Sequence, residues 1–392
     1  MLLCTKIRLQ VSEADAEALE FMQGKCRGLY NWWVMRLRDG EPWPGWAAAK
    51  LSLQASKDHD PDVRQVYGKL LHEVYFRLDK AMAAFFRRVK AGETPGFPRV
   101  RPRHAFFTLC YPALYIKVKG DILRLPTGGG GASGVPKQYP TIAARLTEPA
   151  PTDYREVAIS RDARGHYYAS FVSEQPDAPT PPDSEVLAFD LGIKTLATGV
   201  DTQGRIFHIG GFKGGGWYNH QLDKIRSKRD TCQKKSRRYI HLSATYQRVS
   251  EQKRNKHTDC LHKASSLIAY RLVARTVVIG DLSQRQMVTK AHHEKQKKNK
   301  RLHRAVFNDW GLYRFGQMLD YKCVHAGKEL QRLDERYTSK DCSVCGNRQD
   351  MPLWKRTYRC GNCGLVMDRD ENSAVNILQR FLARLGPHTS LA

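Results

Sequence analysis

The sequence is poor in acidic residues and has no long apolar run. Its 392 residues contain 39 Asp and Glu against 65 Lys and Arg, which leaves a formal net charge of +26. No stretch approaches the roughly 18 consecutive apolar residues that a membrane helix needs, and the first ten residues lack the apolar core of a signal peptide. We therefore expect a soluble, intracellular protein with no membrane partner.

The excess of positive charge predicts a polyanionic partner. Nucleic acid is the first candidate, because Lys and Arg that neutralise phosphates release the counterions condensed on them. The alternative is a charge that serves only solubility. At roughly 150 residues per domain, the length predicts two or three domains.

A secreted disulfide framework is also missing, because six of the ten cysteines are isolated along the chain. The other four form two pairs, Cys342-x2-Cys345 and Cys360-x2-Cys363, with fourteen residues between them. This spacing is typical of two knuckles that present four thiolates to one zinc ion. Four protein ligands leave no open coordination position, so we predict a structural zinc ribbon. Two unrelated reduced pairs are the alternative.

The order of the predicted elements divides the chain at the proline-rich residues 176–183. Short β-like runs and helical segments precede this point. After it come three hairpin-linked strands, a helix, a strand, a helix, a strand and a last helix. This is the element order of an RNase H-like α/β fold. We therefore predict an RNase H-like domain with an inserted zinc ribbon, preceded by a β-barrel-like domain with a helical insertion.

Acidic residues at particular positions of such a fold predict a metal site. The first strand lies at the centre of the sheet, and acids on the first strand, after the fourth strand and on the last helix converge. Converging carboxylates can hold two magnesium ions about 4 Å apart for hydrolysis. Asp190 ends an apolar run, with a capping role as the alternative. On the last helix we prefer Asp370 to Asp368, since an Asp at a helix start is often only an N-cap.

Several segments between residues 187 and 378 carry a resemblance to a known family. They are Phe189-Asp190-Leu191-Gly192, the predicted helix at residues 310–327, residues 337–346 around Cys342 and residues 360–377 with Asp368-Arg369-Asp370. In order and spacing the sequence resembles the TnpB family of transposon-encoded, RNA-guided DNA endonucleases, relatives of compact type V CRISPR effectors and of Fanzor proteins. The N-terminal half resembles the family's guide- and target-binding lobes only loosely.

The resemblance implies a RuvC-like, metal-dependent endonuclease that cuts double-stranded DNA beside a short motif read by the protein. It implies a guide RNA from the transposon end, target DNA, a structural zinc and two catalytic magnesium ions as partners and cofactors. It also implies a cytoplasmic, nucleoid-associated location in a prokaryote and allows a separate transposase in the same element. The predicted domains are a wedge-like β-rich domain (1–10 and 100–180), a helical recognition insertion (11–99), the RuvC-like domain (184–340 and 366–388) and a zinc ribbon that binds target nucleic acid (341–365).

One position departs from the family pattern. The second RuvC-like motif usually ends its strand with a glutamate before Asp-Leu, whereas this sequence has Gly280 before Asp281. Asp281 cannot simply substitute, because successive strand side chains point to opposite faces. We predict that Glu335, at the end of the neighbouring strand, fills the vacated space, a relocation that resembles some TnpB and Fanzor members. The predicted catalytic, magnesium-binding set is thus Asp190, Glu335 and Asp370.

Other outcomes remain open for this position. Glu335 could be a surface residue paired with an arginine, and other acids could take its place, namely Glu251, Asp281, Glu294 and Asp334. The site could also be inactive, which would make the protein an RNA-guided DNA-binding repressor. An unguided, structure-selective nuclease is a third possibility.

A long basic stretch at residues 224–256 is the predicted nucleic-acid contact, with a solvated helix face as the alternative. A second charge run lies at residues 290–301, and its part 295–301 could be a disordered loop, a phosphate contact or a localisation signal. The predicted nucleic-acid-binding residues are Lys224, Arg226, Lys228, Arg229, Lys234, Lys235, Arg237, Arg238, Arg248, Lys253 and Arg254.

Overall fold

Two units, each with its own hydrophobic core, make up the chain in the computed structural model. They are Met1–Gln175 and Pro176–Ala392, so the division falls at the start of the proline-rich segment. No described helix is both long enough and apolar enough to cross a membrane. The structure describes residues 2–130, 135–175, 178–181, 185–192, 195–281, 309–352 and 354–385. The predicted charge run at residues 290–301 and Glu294 lie outside these ranges.

The first unit combines helices with an antiparallel sheet. Its helices are α1 (Glu13–Arg38), α2 (Trp46–Leu51), α3 (Leu53–His59) and α4 (Gly68–Lys90). Its strands are β1 (Leu2–Gln10), β2 (Leu109–Pro112), β3 (Lys117–Lys119), β4 (Ile122–Leu125), β5 (Ile142–Leu146), β6 (Glu156–Arg161) and β7 (Tyr167–Glu174). The sheet order is β2-β6-β7-β1-β5-β4-β3. Buried and less buried residues alternate along β7, as expected for a strand with one face on the core.

The second unit contains a five-stranded mixed sheet. Its strands are β8 (Val186–Leu191), β9 (Thr195–Asp201), β10 (Ile206–Gly210), β11 (Thr276–Gly280) and β12 (Glu329–Leu333), in the order β10-β9-β8-β11-β12. β8 pairs antiparallel with β9 and parallel with β11, and β11 pairs parallel with β12. All five residues of β11 are buried, as expected for a strand covered on both faces.

Helices cover both faces of this sheet. They are α5 (Gly215–Asp230), α6 (Arg237–Ser266), which continues as a π-helical turn at Leu267–Arg271, α7 (Leu312–His325) and α8 (Arg369–Leu385). Ala188 of β8 packs in one cluster with Ile377 of α8. Leu187 and Phe189 pack in another cluster with Phe315 of α7. The alternation along β8 therefore assigns even-numbered residues to the α8 side.

The predicted basic stretch forms a helical hairpin of α5 and α6. Near one end of the hairpin the Lys253 ammonium donates to Asn219 Oδ1 at 2.7 Å, and nearer the turn the Arg226 guanidinium donates to the Tyr246 hydroxyl at 2.7 Å. These two contacts show that α5 and α6 run antiparallel. Ser236 caps α6 by accepting from the backbone N–H of Tyr239 at 3.2 Å.

A small two-stranded sheet, β13 (Thr357–Arg359) and β14 (Val366–Asp368), lies between β12 and α8. Because β14 ends at Asp368 and α8 begins at the next residue, this hairpin is continuous with the helix that carries Asp370.

Candidate metal and nucleic-acid sites

The four paired cysteines lie together, as the sequence predicted. Their Sγ atoms all lie within 4.8 Å of one another, and the Cys342–Cys363 and Cys345–Cys360 Sγ pairs are 3.5 and 3.6 Å apart. Backbone N–H groups of Cys363 and Asn362 lower the pKa of Cys360 to about 6, which favours the thiolate that zinc requires. The cluster is compatible with a zinc ribbon.

Asp190 lies on the central strand, on the side of the sheet that α8 covers. Its Oδ1 accepts a hydrogen bond from Ser373 Oγ of α8 at 3.0 Å, and Ser373 Oγ lies 2.8 Å from Thr338 Oγ1. Burial, and next the negative charge of Asp370, raise the pKa of Asp190 to about 7. A carboxylate in this place is costly unless a cation compensates it.

Glu335 reaches the space that Gly280 leaves open. Gly280 pairs with Leu333 in the parallel register of β11 and β12, and Glu335 follows two residues after Leu333. A β-carbon on residue 280 would overlap Oε2 of Glu335 and lie 3.2 Å from its Cβ. Oε2 is buried and has no hydrogen-bond partner among the residues that the structure describes. Burial, followed by the charge of Asp190, raises the pKa of Glu335 to about 8.

Asp370 and Asp368 have different roles at the start of α8. Asp368 Oδ1 accepts from the backbone N–H of Asp370 at 2.7 Å, so Asp368 caps the helix. The Asp370 side chain is buried, and its oxygens accept from the guanidinium groups of Arg356, at 3.1 Å, and Arg369, at 3.0 Å.

Asp190, Glu335 and Asp370 therefore lie close enough to interact electrostatically. The charge of Asp370 raises the pKa of Asp190, and the charge of Asp190 raises the pKa of Glu335. Their donor atoms are spread more widely than those of the cysteines, which in the described part of the chain form the one set of three or more possible ligands within 4.8 Å. Of the alternative acids, Asp281 and Asp334 are exposed and Glu251 lies on α6.

The raised pKa values predict that stability falls as pH rises. Unfolded Asp and Glu titrate near pH 4, whereas folded Asp190 and Glu335 hold protons up to about pH 7 and 8. Between pH 6 and 9 the folded state releases protons that the unfolded state has already lost. We expect the free energy of unfolding to fall by about 4 kcal/mol in magnesium-free buffer.

Urea titrations at the two pH values measure this fall, without chelators that would also remove zinc. Glu335→Gln should reduce the fall, and the exposed control Asp334→Asn should not. An equal free energy of unfolding at both pH values would contradict the prediction.

Two family models match the chain where these sites lie. Residues 313–377 match the model described as "Cas12f1-like, TNB domain", and residues 170–291 match OrfB_IS605, described as "Probable transposase".

A protein of Streptomyces pristinaespiralis named "Putative RNA-guided DNA endonuclease" is 32% identical over 242 residues, which cover 58% of this chain and 53% of the relative. TnpB-like protein MJ0751 of Methanocaldococcus jannaschii is 28% identical over 159 residues, 40% of this chain and 55% of the relative. In these segments the chain is similar to proteins of the TnpB family.

The chain spans about half the length of these curated relatives. Its fold resembles that of Cas12f1 in a cryo-EM structure of the Cas12f1-sgRNA-target DNA complex. The TM-score is 0.61 at 12% identity, with 96% of this chain and 98% of the other covered. This match shows that the two chains share a fold.

The helical hairpin presents most of the predicted nucleic-acid-binding residues to solvent. Nine of the eleven are exposed, and Arg229 and Lys253 are half-buried. Arg229 lies over the rings of Tyr239 and Tyr246, 5.9 and 5.5 Å from their centroids. The exposed residues are Lys224, Arg226, Lys228, Lys234, Lys235, Arg237, Arg238, Arg248 and Arg254.

Lys253 differs from the others, because its ammonium already has partners. It forms an ion pair with Asp309, and both side chains are largely buried. Asn219 binds both Lys253 and Asp309, the latter at 2.7 Å. This network joins α5, α6 and the segment before α7, so Lys253 holds the hairpin in place.

Sequence reasoning missed three residues of the acidic site: Ser373, Thr338 and Arg356. Ser373 follows Asp370 by three residues, so a helix places both on one face, and this spacing could have identified it. Arg356 gives no such signal, because it lies fourteen residues before Asp370 and outside α8.

Proposed function

We propose that this protein is an RNA-guided, magnesium-dependent endonuclease that cuts double-stranded DNA beside a short motif read by the protein. The observation that carries the proposal is the carboxylate of Glu335, which lies where Gly280 leaves space, close to Asp190, with a buried and unpartnered oxygen. A catalytically silent protein would have no need for this arrangement.

The sheet topology supports an RNase H-like, RuvC-like domain. A central β8 lies antiparallel to β9 and parallel to β11, with helices on both faces. In this arrangement Asp190 on β8, Glu335 after β12 and Asp370 on α8 come from three different elements and lie close to one another. Burial, and after it the proximity of these acids to one another, raise the pKa values of Asp190 and Glu335.

The donor set fits magnesium. Magnesium prefers oxygen ligands and few carboxylates. Buried polar atoms ordinarily have a partner, so the unpartnered Oε2 of Glu335 is explained if a cation binds there. Asp190, Glu335 and Asp370 would hold two magnesium ions, which when bound activate water and stabilise the charge that develops at phosphorus.

The chain's own residues orient these ligands. Ser373 donates to Oδ1 of Asp190 and so fixes the orientation of its carboxylate. The N-cap formed by Asp368 fixes the first turn of α8 and hence the position of Asp370. In the proposal, the ribbon formed by the four cysteines and structural zinc contacts target nucleic acid, and the basic hairpin binds the guide RNA and target DNA. A nucleoid location and a separate transposase remain predictions from the resemblance.

Cleavage of a plasmid tests the function. The protein, purified with its bound RNA, should linearise a plasmid that carries the matching target only when magnesium is present. Binding without cleavage would favour the repressor alternative that Gly280 suggests, and cleavage without RNA would favour the unguided nuclease.

The basic hairpin should dominate the salt dependence of binding. We expect a variant with Lys234, Lys235, Arg237 and Arg238 all changed to Ala to lower the slope of log affinity against log salt on duplex DNA by about 0.9 for each phosphate that the variant no longer neutralises. Fluorescence anisotropy between 50 and 200 mM salt, roughly the range over which such interactions weaken, measures the slope.

Lys253→Met is the control, because it removes one charge that already pairs with Asp309. We expect it to lower stability and leave the slope unchanged. An unaltered slope in the fourfold variant would exclude these residues as phosphate-binding groups.

A further inference from the structure

Arg356 connects the zinc ribbon to the acidic site. It lies between the two cysteine pairs, immediately before β13, and its Nη1 donates to both oxygens of Asp370 at 3.1 Å. Its backbone carbonyl accepts from the N–H of Arg369 at 2.7 Å. Main chain and side chain together therefore hold this part of the ribbon against the first turn of α8.

This contact occupies the atoms that a metal ion would need. A carboxylate has few lone pairs, and Arg356 and Arg369 both donate to Asp370. A guanidinium ion and a divalent cation compete for the same oxygens, because both are attracted by the same negative charge. While Arg356 stays in place, Asp370 is a poorer ligand.

The surroundings of Arg356 offer its guanidinium another partner. The side chain of Arg356 is 31% exposed, whereas that of Asp370 is 10% exposed. Trp354, two residues earlier, is 82% exposed, unusually open for a large aromatic ring. Guanidinium groups bind phosphate in a fork geometry, and exposed aromatic rings stack on unpaired bases. Together these residues suit a single nucleic-acid strand.

We propose that Arg356 is a strand-sensing residue that exchanges partners. Without nucleic acid its guanidinium pairs with Asp370. When a DNA strand binds the ribbon, the guanidinium moves to a backbone phosphate, and Asp370, now paired with Arg369 alone, becomes a better ligand for metal. This inference rests on the proposed function, since it assumes that the acidic site binds magnesium and that the strand is the one to be cut.

The exchange makes metal and strand binding reciprocal. The factor by which the bound strand raises metal affinity must equal the factor by which bound metal raises strand affinity. Removal of the Arg356 side chain should raise metal affinity in the free protein and abolish most of this coupling. A purely structural arginine would alter neither quantity in this direction.

Manganese binding to the full-length, zinc-loaded protein tests the first part. Electron paramagnetic resonance titrations should show about tenfold tighter Mn²⁺ binding in Arg356→Gln than in the native protein, the change expected from losing a charged hydrogen bond. Arg359→Gln is the matched control, because Arg359 is an exposed arginine of β13 with the same charge. Equal Mn²⁺ affinity in Arg356→Gln and Arg359→Gln would overturn the proposal.

Anisotropy of a labelled, phosphorothioate-linked single-stranded DNA tests the second part. Mg²⁺ should raise its affinity about tenfold more in the native protein than in Arg356→Gln. Equal enhancement would overturn the exchange. Glu335→Gln distinguishes this failure from failure of the proposed function: if Glu335→Gln binds Mn²⁺ as well as the native protein does, the ions are not at the acidic site. Bound zinc, measured in each variant, reports that the ribbon is folded.

Discussion

Glu335→Gln is expected to lower the rate of DNA cleavage about a thousandfold and to leave RNA and target binding within about twofold. Glutamine keeps the size of the side chain and removes the charge that would hold a magnesium ion. Metal ions supply several kcal/mol of transition-state stabilisation, and about 4 kcal/mol corresponds to a thousandfold in rate. Single-turnover cleavage of a matched plasmid measures the rate, and anisotropy measures binding.

Neighbouring acids provide the controls for Glu335→Gln. Asp281 directly follows β11, Asp334 directly follows β12, and both are exposed. We therefore expect Asp281→Asn and Asp334→Asn to keep nearly full activity. The double variant Gly280→Glu with Glu335→Ala returns the acid to the position usual in the family and should recover part of the activity. Full activity in Glu335→Gln would remove Glu335 from the site.

The position of Glu335 shows what the sequence could predict. The resemblance marked position 280 as the usual place of a glutamate, and the pairing of neighbouring strands then predicted that Glu335 lies near the vacancy at Gly280. In the structure its carboxylate reaches the space where a β-carbon on residue 280 would lie, and its role as a metal ligand stays a prediction. Cysteine spacing likewise predicted the four-thiolate cluster, because ligand geometry imposes a regular pattern on the sequence.

The partners of individual charged side chains were less predictable from the sequence. Lys253 resembles its basic neighbours in the sequence, yet it pairs with Asp309, 56 residues away. Arg356 looks like a surface arginine of a zinc ribbon, yet it donates to Asp370. Both contacts depend on which elements pack together, and no local periodicity records that. The length of α6 was obscured for a related reason, because its many charged residues weaken the apolar pattern that marks a helix.

Loss of zinc should unfold the ribbon and abolish cleavage. Binding of structural zinc contributes on the order of 10 kcal/mol of folding free energy, and the four-residue hydrophobic cluster around Tyr358 is too small to replace it. The damage should extend to α8, because Asn372 and Asn376 each donate to the carbonyls of Thr338 and Asp341 at the start of the ribbon.

Cys345→Ser tests this with little steric disturbance, since Cys345 is exposed. We expect loss of bound zinc, loss of amide-exchange protection at residues 341–365, and a fall in cleavage of at least a hundredfold, roughly the effect of disturbing a metal ligand's supports. Cys4→Ser, at an exposed cysteine of the other unit, should change none of these. A zinc-free variant that kept both protection and cleavage would show that the thiolates serve another purpose. Because β14 leads directly into α8, we expect zinc loss and the fall in cleavage to occur together.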